Sequence, residues 1–309
     1  MKKIKKRYIL TIAIILGVIG FFFYGWYYQN LPEFAMPAIS QISSPSATDR
    51  ILVLAPHPDD ETLGAGGYIH QAIQNQATVK VVIVTNGDGE RFSASKSFRK
   101  VMVKPKDYIQ TGNSRQQEST NALKTLGLNE ENIIFLGFPD GGLKSLLTKN
   151  WTNPYKSNYT KVSVSPYTNS YFPDVSYTGQ NLTANLTSII NDFKPTIILT
   201  TSSIDLHPDH AALAQFAKNA TAGKNIKINY YLIHYRHFPY PKGLVLARNL
   251  TPPLRLFLQN QTWQQFELDN QTEQLKLAAI NQYQSQLKEP FLKSLMQGFV
   301  KKNELFVSI

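Results

Sequence analysis

The tripeptide His-Pro-Asp occurs twice, at residues 57–59 and 207–209. In the run Ala55-Pro56-His57-Pro58-Asp59-Asp60-Glu61-Thr62, one histidine and three acids fall within five positions. In Asp205-Leu206-His207-Pro208-Asp209-His210, two histidines and two acids fall within six. An Asp at a helix N-cap and a Glu in the first turn are ordinary helix-opening residues. That accounts for one or two acids, but not for a histidine and adjacent Asp residues in a turn stiffened by two prolines. Two His and one Asp converging from separate turns form a three-ligand set with open positions, the arrangement of a catalytic metal rather than a structural one. The chain has no cysteine, so thiolate sites, disulfides and thiol nucleophiles are excluded. Imidazole and carboxylate ligands make zinc the first choice, with iron(II), cobalt or manganese also compatible. A metal held this way lowers the pKa of water to near ~7 and polarises a carbonyl. A neighbouring carboxylate that is not a ligand can then take the proton. With Asp59 beside Asp60, one can be ligand and the other base.

The elements that must position these turns are legible nearby. Short apolar runs rich in branched residues lie at 50–54 (RILVL), 79–85 (VKVVIVT), 132–136 (NIIFL), 196–200 (TIILT) and 228–233 (INYYLI). Helix-length segments lie between them, at 61–74, 114–126, 181–193 and 210–220, and a packing helix is expected over 272–287. Strands alternating with helices predict an α/β fold, a Rossmann-like, mostly parallel sheet with helices on both faces. In such sheets ligands bind beyond the carboxyl ends of the strands, and both His-Pro-Asp turns directly follow an apolar run. The remaining histidines are His70, His234 and His237. The first reads as an isolated surface or core residue, while the other two follow the fifth run and could line the same pocket. Residues 150–180 read as a long polar insertion, and the proline-bearing stretch 236–262 reads as irregular.

Upstream, residues 1–7 carry five basic residues and no acid, and 8–28 contain no charge and end in Tyr and Trp. About 20 apolar residues span a bilayer, and basic flanks stay cytoplasmic. The expected organisation is a basic cytoplasmic tail (1–7), a transmembrane anchor (8–28), a linker (29–49) and a catalytic domain outside the cytoplasm (50–309). A cleaved signal peptide shares the basic start, but its apolar run is usually shorter and ends near small residues. The net charge is +11, much of it in that tail. The domain shows no basic stripe of the kind nucleic acid requires.

The sequence PHPDDE after a first strand, with HPDH at 207–210, resembles the PIG-L/LmbE-like family of zinc-dependent N-acetylglucosaminyl deacetylases. Other stretches extend the likeness: Asn86-Gly87-Asp88-Gly89, Arg115-x-x-Glu118, the turn Pro139-Asp140-Gly141, and the late Lys276…Ala279…Tyr283-x-Ser285-Gln286. The resemblance implies Zn2+ bound by His57, Asp60 and His210. It implies Asp59 as general base and His207 as the group that stabilises the oxyanion or protonates the departing amine. Arg115 and Asp140 would contact substrate, and Glu118 would be a structural partner of the loop. The implied activity is removal of the N-acetyl group from an N-acetylglucosamine-type amino sugar in a glycan or glycolipid, here at a membrane. Two other readings fit some of the same residues. One is a non-catalytic glycan-binding module on this fold; the other is an iron oxygenase using two His and one carboxylate. Carboxylates near His207, at Asp205 or Asp209, are expected to raise its pKa.

Overall fold

The computed structural model describes residues 11–12, 14–24, 39–89, 103–259 and 261–308. It separates into two units, residues 1–39 and 40–309. In the first, residues 14–24 are helical and exposed. Among the described residues no helix is long and apolar enough to cross a membrane; the remainder of the expected anchor, at 8–10, 13 and 25–28, lies outside them.

The second unit is an eight-stranded mixed sheet in the order β1-β7-β8-β6-β5-β2-β3-β4. Its strands are β1 (Ser40–Gln41), β2 (Arg50–Ala55), β3 (Thr78–Thr85), β4 (Ile133–Phe138), β5 (Ile197–Thr201), β6 (Lys227–Tyr231), β7 (Thr262–Glu267) and β8 (Asn303–Ser308). β2 to β6 form the expected parallel block, while β8 runs antiparallel to both β6 and β7. β1 lies within the stretch expected as linker and pairs in parallel with β7. The five parallel strands coincide with the five apolar runs within two residues at either end. They bury almost completely: Ile51 to Ala55, Val81 to Val84 and Ile198 to Leu199 are fully inaccessible. Burial on both faces explains why these runs are continuously apolar rather than alternating.

On one face, Leu52, Leu54, Val82 and Ile198 pack against Leu186, Ile190, Leu213 and Phe216 from helices Gly179–Phe193 and Pro208–Ala220. On the other, helix Asp60–Gln74 is tied to β8, where Glu304 accepts the Gly67 and Tyr68 amides at 2.7 and 2.9 Å. Tyr68 packs edge-on against Phe266 and Phe306. Each such fully buried side chain contributes roughly 1.5–3 kcal/mol.

Topology fixes where a site can form. From β2 the chain proceeds outward to β3 and β4, then returns to β5 on the opposite side of β2. The strand order therefore reverses between β2 and β5, and the crevice at their carboxyl ends is where such sheets bind ligands. Both His-Pro-Asp turns open onto it.

Candidate active site

The first turn is strained and firmly held. Asp59, the residue capping helix Asp60–Gln74, has φ 123° and ψ −35°. A non-glycine residue there costs on the order of 1–3 kcal/mol and persists only when its surroundings over-determine it. Here the Asp59 amide donates to Glu61 Oε2 at 3.0 Å, and its carbonyl accepts the Thr62 and Leu63 amides at 3.0 and 2.9 Å. Arg115 Nη2 donates to the Pro58 carbonyl at 2.8 Å. Glu61 is itself buried and accepts the Tyr283 hydroxyl at 2.6 Å and the Ser119 hydroxyl.

The second turn is organised by Asp205. One carboxylate oxygen accepts the His207 amide at 2.8 Å. The other accepts the Ile233 and His234 amides at 2.9 and 3.0 Å and lies 3.2 Å from His210 Nδ1. His207 caps helix Pro208–Ala220, and its Nδ1 accepts the Asp209 amide at 3.3 Å.

Three atoms converge between the turns. Asp60 Oδ2 lies 3.1 Å from His57 Nδ1 and 3.2 Å from His210 Nε2, and the two nitrogens lie 3.2 Å apart. Donors about 2.0–2.1 Å from a tetrahedral metal sit roughly 3.3 Å from one another, so the triangle has the size a small divalent cation needs. The far nitrogen of each imidazole meets carboxylates: His57 Nε2 lies 3.2 Å from Asp140 and 3.4 Å from Asp209, and His210 Nδ1 meets Asp205. Metal-binding histidines are oriented by such outer carboxylates. Other sets in the same cluster also bring ligand atoms within 4.8 Å: His57 with His207 and His210, Asp60 with His210 and His234, and His57 with Asp140 and Asp209. The His57, Asp60 and His210 donors are separated by 3.1–3.2 Å.

The electrostatics suit a cation. Burial alone would depress the imidazoles, yet Asp140, Asp209 and Asp60 hold His57 well above its ordinary pKa, and Asp60 and Asp205 raise His210 to about 9. Burial opposes ionisation of Asp60 as well, but His210 and His57 keep it well below the carboxylate range. The cluster is thus an excess of buried carboxylate that positive charge must balance, whether as protons on the imidazoles or as a metal ion.

Asp59 differs from its neighbour. Burial, then the charges of Asp60 and Glu61, raise its carboxyl to about 7 against the opposing pull of Arg115 and Gln286. Its Oδ2 accepts Gln286 Nε2 and lies 3.4 Å from Arg115 Nη2. A buried carboxylate poised near neutrality is suited to proton transfer. His207 departs from expectation: Asp205 and Asp209 do not raise its pKa. Burial and the adjoining His57, His210 and His234 lower it to about 3, because the Asp205 carboxylate faces the His207 backbone amide and the His210 ring rather than the His207 ring.

Arg115 and Asp140 were expected to touch substrate. Arg115 is buried and donates to the Gly87 and Pro58 carbonyls, locking two loops beneath Asp59. Asp140 bridges His57 and the Gly89 amide, the latter at 2.8 Å. Glu118 accepts the Ser285 amide and hydroxyl at 2.7 and 2.6 Å, which seats the turn carrying Gln286. His70 lies away from the centre and contacts the Leu126 carbonyl. The sequence pointed to no site role for Gln286 or Glu61, gave Asp209 only an influence on His207, and left His234 as one of two candidates. Asp209, inside the second His-Pro-Asp, carried a visible signal. Gln286 carried only its place in a late motif.

The profile of the PIG-L family, described as GlcNAc-PI de-N-acetylase, matches residues 52–221, more than half of the chain. Among solved structures, the A40926 pseudoaglycone deacetylase Dbv21 is 19% identical, with 84% of this chain and 96% of that one covered at a TM-score of 0.53. The N,N'-diacetylchitobiose deacetylase of Pyrococcus horikoshii is 17% identical, with 92% and 91% covered at a TM-score of 0.50. These structures share the fold. No curated protein sequence matches. The chain belongs to the PIG-L family.

Proposed function

We propose that this PIG-L family member is a zinc-dependent hydrolase that removes the N-acetyl group from an N-acetylglucosamine-type sugar of a glycan or glycolipid. The observation that carries this reading is the triangle of His57, Asp60 and His210 donors with Asp59 beside it. A divalent ion held by that trio supplies Lewis-acid polarisation of the amide carbonyl and acidifies water. Asp59, raised towards neutrality and fixed by Gln286 and Arg115, takes the proton from the attacking water. Because His207 Nδ1 accepts the Asp209 amide, its Nε2 carries the proton and donates to the oxyanion. Such a donor is worth roughly 3 kcal/mol. Asp59 then returns its proton to the departing amine. The outer carboxylates Asp205, Asp140 and Asp209 keep the two ligand imidazoles aligned.

The purified chain should release acetate from N-acetylated glycans. Chelator should abolish this release and Zn2+ should restore it. Full activity in the metal-stripped protein would refute the metal-dependent reading.

The uncharged 8–28 segment after five basic residues supports an N-terminal anchor with the catalytic domain outside the cytoplasm. A reporter fused after residue 45 should work only if it is one active outside the cytoplasm; activity of a cytoplasmic reporter would reverse the orientation.

A further inference from the structure

Asp140, which lies against His57, is bracketed by two glycines: its carboxylate accepts the Gly89 amide, and Gly141 follows it in the chain. The ring of Tyr159, from the polar 150–180 insertion, lies over both. A side chain at Gly89 would strike it, and one at Gly141 would touch it at 3.5 Å. Tyr108, from the first turn of helix Pro105–Thr125, packs against Tyr159 with centroids 5.4 Å apart and planes at 49°. Both rings are half-buried. An aromatic surface therefore stands one residue beyond a candidate metal ligand, on the side where Asp140 closes the centre.

The chemistry of this surface selects its occupant. Tyrosine pairs an apolar ring face with a polar phenol edge, which suits a ligand that is apolar on its ring face and hydroxylated at its rim, as a pyranose is. Burial, then Asp140, Tyr155, Tyr108 and Asp209, push the Tyr159 phenol above its ordinary pKa, so it stays neutral and donates. The same carboxylates disfavour an anionic group here, which argues for a neutral sugar over a phosphate-bearing head group.

We propose that Tyr108 and Tyr159 form a stacking subsite for a second sugar ring, so that the centre acts on a glycan chain rather than on a single amino sugar. This rests on the reading of the centre as a sugar deacetylase. The test compares the full chain on N-acetylglucosamine and on its N-acetylated tetrasaccharide, chitotetraose. Tyr159→Ala and Tyr108→Ala should lower kcat/KM on the tetrasaccharide by roughly five- to tenfold, change it less than twofold on the monosaccharide, and leave metal content unchanged. Tyr159→Phe should retain most of the chain-length preference. Equal losses on both substrates, or an unchanged tetrasaccharide preference in Tyr159→Ala, would overturn the subsite while leaving deacetylation intact. Calorimetric binding in an Asp59→Asn background separates the two readings. Tyrosine-dependent preference for the tetrasaccharide without acetate release from the parent chain would support the subsite and remove the deacetylase. Binding without any length preference would overturn the subsite.

Discussion

The two His-Pro-Asp turns sit at adjacent strand ends, and both lead into helices, yet the same three residues take different positions relative to the helix start. In the first, the helix begins at Asp60 and the cap is Asp59, forced to φ 123°. In the second, it begins at Pro208 and the cap is His207, at an ordinary φ of −78°. Proline at the first helical position is well accommodated, so the second turn relaxes into a standard helix entry, and the first does not. One consequence is the availability of the imidazoles. His207 commits Nδ1 to its own helix through the Asp209 amide, whereas His57 Nδ1 faces Asp60 and His210. Another is the fate of the Asp residues. Asp209 is fully buried and accepts the Gly141 and Leu143 amides at 2.7 and 3.0 Å, while Asp59 meets the side chains of Gln286 and Arg115. Position relative to the helix start, rather than residue identity, separates the imidazole that faces the cluster from the one that caps a helix, and the carboxyl raised towards neutrality from the one held by backbone amides.

The largest test of this difference removes the fourth position of each turn, where the proposed roles agree. Asp60→Ala and His210→Ala should each lose the metal and lower turnover by about three orders of magnitude or more, because each leaves only two ligands. Elemental analysis beside acetate release would show it. Retention of a full equivalent of metal by either variant would break the proposed trio. The next effect lies in the third position, where the turns differ. Asp59→Asn should keep its metal and lose roughly 10²–10⁴-fold in kcat. If Asp59→Asn loses metal while Asp60→Asn keeps it, the two roles are exchanged.

A smaller loss is expected at the first position of the second turn. His207→Ala should retain metal and drop kcat by roughly 10²-fold, the scale of one oxyanion donor. Metal loss matching that of His210→Ala would make His207 a ligand and erase its contrast with His57.

The sequence shows the frame around the two turns, but not the different helix starts that set them apart. The five parallel strands stood out because they are buried on both faces and therefore continuously apolar. Helix Pro105–Thr125 extends nine residues before the expected start at 114, because its buried face is built from Asp107, Thr111, Gly112, Arg115 and Gln116 and shows no apolar period. β7, with only Trp263 and Phe266 buried in TWQQFE, lacks alternation, and β8 follows no turn signal. The segment expected as one helix over 272–287 divides into Asn270–Ile280 and Gln284–Leu287, which is how Gln286 reaches Asp59. His57, Asp60 and His210, the proposed metal ligands, stood out because they lie within two short motifs. Gln286 and the Arg115 anchor reach Asp59 from distant parts of the chain, and spacing carries no trace of that.

The smallest expected effect concerns the strain itself. At φ 123°, Asp59 lies far from the left-handed well near +57° that Asp and Asn visit. Glycine is the residue this backbone suits, and its greater freedom in the unfolded chain offsets part of the gain. Asp59→Gly also removes a buried carboxyl, so the fair reference is Asp59→Asn, which removes the charge but keeps the backbone problem. In chelator, where metal binding adds nothing to stability, Asp59→Gly should be more stable than Asp59→Asn by about 1 kcal/mol. That corresponds to a rise in Tm of roughly 2–4 °C. At the other turn, the φ of −78° leaves nothing to relieve, and His207→Gly should be no more stable than the parent. Equal melting points for Asp59→Gly and Asp59→Asn would mean that the first turn stores no strain, and that Asp59 is held in place by Glu61, Arg115 and Gln286 without backbone cost.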